Sequence, residues 1–174
     1  VAGALAEAQR RAAAWGGDPS RFILMGHSAG AHLVALVNAS PALARQADVP
    51  RPWLGAVALD SAALDVPALM AAPHARFYDR VFGADPDFWR RVSPLHALDG
   101  TGAGALPPFQ LVCSTERAQA SCGPAEAMAR RVQALGRRAE VLPQALSHGE
   151  INAQLGRESG YTQAVERFMA SLDA

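Results

Sequence analysis

The chain has no lysine, only two cysteines, few aromatic residues and no net charge, and each shortage narrows what it can do. Its 16 basic and 16 acidic side chains cancel over 174 residues, so it has no broad attraction for phosphate backbones or anionic lipid. Nucleic-acid binding would need a local cationic patch. The arginine pairs Arg10-Arg11, Arg90-Arg91, Arg130-Arg131 and Arg137-Arg138 lie far apart, each where a solvated helix face is expected, and no nucleic-acid partner is called for. No apolar run approaches the roughly 18 residues of a membrane span. The opening segment lacks both an initiator Met and a signal-peptide core. It reads as the middle of a helix, and the chain is expected to be the C-terminal part of a longer protein. Half of the residues are apolar, which excludes a disordered chain and suffices for one domain, residues 1–174, with its own core.

Strand and helix patterns alternate along this domain. An Ala-rich helix over residues 1–15 ends at Gly16-Gly17, where glycine lets the backbone leave the helix. Arg21 to Met25 is a short continuous apolar run, the pattern of a strand covered on both faces. A helix from Ala29 to Asn38 follows and stops near Pro41. Further buried strands are predicted at Leu54–Leu59 and Phe109–Cys113. A fourth, Ala139–Ala145, belongs at an edge because Pro143 has no N–H to donate. Helices are predicted over Pro124–Leu135 and Tyr161–Leu172 from their apolar faces. The alternation implies an α/β fold, a mostly parallel sheet with helices on both faces. Residues 61–105, rich in Pro, Gly and aromatics, read as an insertion or cap-like segment above it. Gly100-Thr-Gly-Ala-Gly104 follows no strand and is read as a loop rather than a dinucleotide fingerprint.

Gly26-His27-Ser28-Ala29-Gly30 sits directly between a strand and a helix, the context that gives a G-x-S-x-G sequence its meaning. A serine on such a bend adopts a strained backbone, and the flanking small residues let the chain pass close by. Its hydroxyl is held above the sheet, and the Ala29 N–H at the helix start points where an oxyanion would form. The plain alternative is a structural Gly/Ser turn. His27 and His32 lack the His-Glu-x-x-His spacing, and no cysteine or carboxylate cluster supports them as ligands. No metal and no cofactor are expected.

Asp18 to Leu33, carrying this bend, resembles the corresponding region of α/β-hydrolase esterases related to the hormone-sensitive-lipase and kynurenine-formamidase-like groups. Arg91 to Leu95 and Leu146 to Asn152 resemble their segment before the next strand and their histidine loop. The resemblance implies an α/β-hydrolase fold, incomplete on its N-terminal side, and a serine carboxylesterase acting on a small-molecule ester through an acyl-enzyme. It also implies the chain order serine, acid, histidine. Of the five histidines, His148 is the expected base, because it follows the last strand and precedes a helix. Glu116, at the end of the third strand, occupies the place where relatives carry the acid, with Asp60 and Asp65 as reserves. Many relatives have Asp after a glycine turn there, whereas this chain reads Ser114-Thr115-Glu116-Arg117. Asp65 resembles a structural aspartate of the family.

The chain lacks the His-Gly-Gly-type loop that supplies further oxyanion donors in that family, and losing one donor costs a factor of about a hundred to a thousand. The strands that would flank Arg21–Met25 are also absent, leaving an edge for an upstream segment or a second copy to cover. The competing expectation is therefore a non-catalytic or truncated α/β-hydrolase-like module that binds a partner. Cys113 and Cys122 fit either two buried thiols or a disulfide. A disulfide would favour a periplasmic or secreted setting, and thiols a cytoplasmic one. Compartment stays open at this level.

Overall fold

Four apolar segments form one parallel sheet in the computed structural model, which describes residues 1–50, 52–100 and 106–172. The strands are β1 (Ile23–His27), β2 (Gly55–Leu59), β3 (Phe109–Ser114) and β4 (Ala139–Gln144), side by side in chain order. Ile23 pairs with Gly55, Ala56 with Phe109, and Phe109 with Ala139. The helices are α1 (Ala2–Arg11), α2 (Ala29–Ala39), α3 (Pro41–Gln46), α4 (Val66–Ala71), α5 (Arg76–Phe82), α6 (Pro86–Arg91), α7 (Pro94–Ala97), α8 (Cys122–Ala134), α9 (His148–Gln154) and α10 (Gly160–Ala170). Of the Gly100–Gly104 segment, residues 101–104 lie outside the described residues.

The two central strands are buried along their whole length, as expected for apolar runs with helices on both sides. Successive side chains go to opposite faces. Ala56, Ala58, Phe109, Leu111 and Cys113 pack with Leu5 of α1, Val34 of α2 and Met128 and Val132 of α8. Val57, Leu59 and Val112 pack on the other face with Ile151 of α9 and Val165 and Phe168 of α10. Each large apolar side chain fully buried in this way stabilises the fold by about 1.5–3 kcal/mol. The buried Asn38 is satisfied within the core: Trp53 Nε1 donates to its Oδ1 at 2.5 Å, and its Nδ2 donates to the Pro107 carbonyl at 3.1 Å.

Among the described residues β4 pairs only with β3, so Pro143 stands on an edge strand, where its missing N–H withholds nothing from a second neighbour. β1 departs from its reading as a strand covered on both faces. Only Leu24 is buried and Met25 is 39% exposed. Among the described residues the apolar cluster under α9 and α10 reaches only Ile23 of this strand. Between β2 and β3, α4 to α6 enclose a small apolar cluster of their own that includes Ala62, Val66, Leu69 and Phe82.

Candidate active site

Every group of the site comes from the carboxyl end of a strand. After β1 the chain turns at Ser28 with φ 58° and ψ −117°, a region reached almost only by glycine and held at a cost of about 1–3 kcal/mol. Three contacts hold the turn. Ser28 N–H donates to the Leu59 carbonyl at 2.9 Å, and the Ser28 carbonyl accepts from His32 N–H at 3.1 Å to begin α2. Gly26 faces the helix so closely that a Cβ there would lie 2.4 Å from the Gly30 carbonyl oxygen and 2.5 Å from its carbon. Ala29 is the first residue of α2, and an N–H at that position has no acceptor within its helix.

His148 Nε2 lies 3.0 Å from Ser28 Oγ, across 120 residues of sequence. Its Nδ1 is 2.5 Å from Asp60 Oδ2. A carboxylate can only accept, so Nδ1 carries the proton and Nε2 offers its lone pair to the serine hydroxyl. The expected pairing of His148 with Glu116 is corrected here. Glu116 is exposed and its backbone N–H donates to Ser114 Oγ, whereas Asp60 is fully buried and directly against the imidazole. Asp60 directly follows β2 with φ 59°, a second turn at positive φ that aims its side chain across the sheet ends. Asp65 instead accepts from Ala68 N–H as the cap of α4.

Four donors surround the Asp60 carboxylate. Ser114 N–H (2.8 Å) and Ser121 Oγ (2.5 Å) reach Oδ1. Arg117 Nη1 (2.8 Å) and His148 Nδ1 (2.5 Å) reach Oδ2. Burial by itself would raise this carboxyl, but the bonds from Ser121, His148 and Ser114 and the charge of Arg117 outweigh it and hold Asp60 below the usual carboxylate range. The donors are brought together by a disulfide between Cys113, the neighbour of Ser114, and Cys122, the neighbour of Ser121. The two cysteines stand as a cystine in this structure, which closes the loop that carries Arg117.

His148 is the first residue of α9 rather than part of the preceding loop. A reciprocal cap fixes that helix start: Ser147 Oγ bonds Glu150, whose side chain returns to Ser147 N–H at 2.9 Å. The Ser-x-x-Glu spacing that announces this cap is plain in the sequence. Ser114 Oγ donates to the Leu146 carbonyl at 2.6 Å just before it. His27 Nε2–H donates to the His148 carbonyl at 2.8 Å, and its ring lies 4.5 Å from the His148 ring. Behind α9, Tyr161 donates to the Ile151 carbonyl at 3.0 Å, and burial, with the nearby Asp60 charge, pushes the phenol up to about 12. Tyr161→Phe leaves that carbonyl without its partner, and urea unfolding should register a loss of about 1–2 kcal/mol; an unchanged midpoint would show that the bond holds nothing.

Ser28 opens onto a cavity of about 170 Å³ lined also by His32, Phe77, Tyr78, Phe82 and Arg117. His32 donates Nε2–H to the Val92 carbonyl at 2.7 Å. Burial lowers its pKa more than that bond raises it, so it stays neutral. A larger cavity, about 810 Å³, lies at the opposite ends of the strands beside Leu54, Pro108 and Arg138, remote from Ser28. Among the described residues no group of three or more His, Cys, Asp or Glu side chains could hold a metal ion, and no helix is long and apolar enough to cross a membrane.

No family model matches the chain, and no curated relative matches it. Solved structures do. Esterase 2 of Thermogutta terrifontis matches in its apo form with a TM-score of 0.66 at 21% identity, over 99% of this chain and 61% of that one. The same enzyme phosphoramylated by tabun matches with 0.67 at 21%, over 98% and 62%. A truncated carbohydrate esterase from gut microbiota gives 0.78 at 14%, over 97% and 65%. The fold is that of the α/β hydrolases. An acetyl ester-xyloside bifunctional hydrolase from Caldicellulosiruptor lactoaceticus shares it, with 0.73 at 19%, over 99% and 64%. The chain thus spans between 61% and 65% of the length of these α/β hydrolases.

Proposed function

We propose that the chain is the catalytic part of a serine esterase that cleaves small carboxylic esters through an acyl-enzyme. The observation that carries this reading is the unbroken run of contacts from Ser28 Oγ through His148 to Asp60. In the reaction His148 Nε2 removes the Ser28 proton as the hydroxyl oxygen attacks the ester carbonyl. The tetrahedral oxyanion forms beside the Ala29 N–H. His148 then returns the proton to the leaving alkoxide, and a water activated by the same nitrogen releases the acid. Asp60 holds the imidazole in the required tautomer and stabilises it when charged. The esterase neighbours support ester over amide as substrate. The narrower placement, among hormone-sensitive-lipase and kynurenine-formamidase-like enzymes, rests on the likeness of residues 18–33 and 146–152. We place the described part of the segment, residues 61–100, beside the site, with Phe77, Tyr78 and Phe82 as its acyl or alcohol wall, and the Cys113–Cys122 bond favours an oxidising compartment.

A fluorophosphonate probe tests the reading. The wild-type chain should be labelled at Ser28, and Ser28→Ala should lose the label. Absence of labelling in both would favour the alternative, a non-catalytic α/β-hydrolase-like module whose open β1 edge receives a partner.

A further inference from the structure

Arg117 stands where a Ser-His-Asp arrangement needs no cation. Its guanidinium is only 13% exposed and bonds Asp60 twice through Nη1, at Oδ2 (2.8 Å) and at the backbone carbonyl (3.1 Å). The two bonds tie the carboxylate to the turn that carries it. The same nitrogen lies 3.2 Å from His148 Nδ1. Both atoms are donors converging on one carboxylate oxygen, so this short distance is crowding rather than a bond. Arg117 is itself held, with its N–H on Ser114 Oγ at 3.1 Å and its loop closed by the disulfide.

We propose that Arg117 is a positioning residue that locks the Asp60 carboxylate toward His148 and, by its charge, opposes protonation of His148 in the resting site. The inference rests on the esterase reading for its kinetic consequence but not for its electrostatics. An isolated Asp-His pair gains an attraction when the imidazole charges. Here Asp60 is already neutralised by a cation, and a charged imidazole would face Arg117 at contact distance. Other charged or titratable groups around His148 are His27 from the end of β1, which donates to the His148 carbonyl, Glu150 on α9, committed to the helix cap, and Tyr161 on α10, a neutral donor to Ile151.

The test is an NMR titration of the His148 ring, assigned with His148→Gln, in wild type, Arg117→Met, Arg117→Gln and Arg117→Lys. A cation a few ångströms away in a half-buried site is worth about one pH unit or more. The His148 midpoint should therefore rise by about one unit in Arg117→Met and Arg117→Gln and stay near wild type in Arg117→Lys. Arg117→Gln keeps a donor for Asp60 and carries the test should the Met variant not fold. The acid limb of kcat/KM for p-nitrophenyl acetate should move by the same amount. An unmoved midpoint in the neutral variants overturns the proposal whether or not ester is hydrolysed. A raised midpoint without hydrolysis upholds it and removes the esterase reading instead.

Discussion

Asp60→Asn is expected to lower kcat for ester hydrolysis by about 10⁴-fold, the scale seen when an acid of this kind becomes an amide, while Glu116→Gln leaves the rate unchanged. The amide can turn its NH₂ toward Nδ1, which then must accept, so the proton moves to Nε2 and the nitrogen facing Ser28 at 3.0 Å no longer has a lone pair to offer. The loss includes a structural part. Four donors converge on Asp60, and the substitution strands Arg117, a mostly buried cation, for which several kcal/mol is the usual order. Circular dichroism and a urea midpoint separate the two effects. The pH dependence has a definite sign. Asp60 has a depressed folded-state pKa, so its contribution to stability is complete above the unfolded carboxylate value of about 4 and is lost as pH falls through the lower folded value. Asp60→Asn removes that acid-side slope. Full activity in Asp60→Asn together with loss in Glu116→Gln would reverse the assignment.

Gly26→Ala should be the most damaging single methyl in the molecule, with destabilisation of about 3 kcal/mol or more and disappearance of probe labelling at Ser28. The added carbon meets the main chain of Gly30 and, at 3.0 Å, Ala31 N, so no side-chain rotation relieves it. α2 would have to back away from a core in which Ala31 and Ala35 are completely buried. Gly30→Ala meets nothing within 4 Å, and within a helix alanine is favoured over glycine by about 0.5–1 kcal/mol. That variant should keep or slightly raise stability. Equal urea midpoints for the two substitutions would show that the close approach at Gly26 is not what fixes the bend.

The contrast marks what a sequence can convey. Two glycines frame the serine symmetrically as letters, yet only the first is required by contact, because the helix turns its backbone toward β1 on one side alone. The sheet was legible from uninterrupted apolar runs, and Pro143 announced its edge. The bend at Ser28 was legible from its place between strand and helix, and the position of His148 near the ends of the strands from its place after the last of them. The acid was not. Asp60 and Glu116 both follow a buried strand, and the choice between them is made by a positive φ at Asp60 and by donors from Ser114, Ser121 and Arg117 that are distant in sequence from it. A carboxylate ending a fully apolar strand is nonetheless a hint, since burial demands partners for its charge. Met25 misled in the opposite direction, because an apolar run records a preference for cover and not the cover itself.

The short helices between β2 and β3 gather around their own knot of apolar side chains, while Ser28, Asp60 and His148 follow the ends of a shared ladder. Leu64 and Leu98 of the same segment are built into the main core, whereas Phe77 and Tyr78 are not. Substitutions at Phe77 and Tyr78, which line the cavity beside Ser28, would redraw the shape of its wall long before they disturbed the spacing of hydroxyl, imidazole and carboxylate.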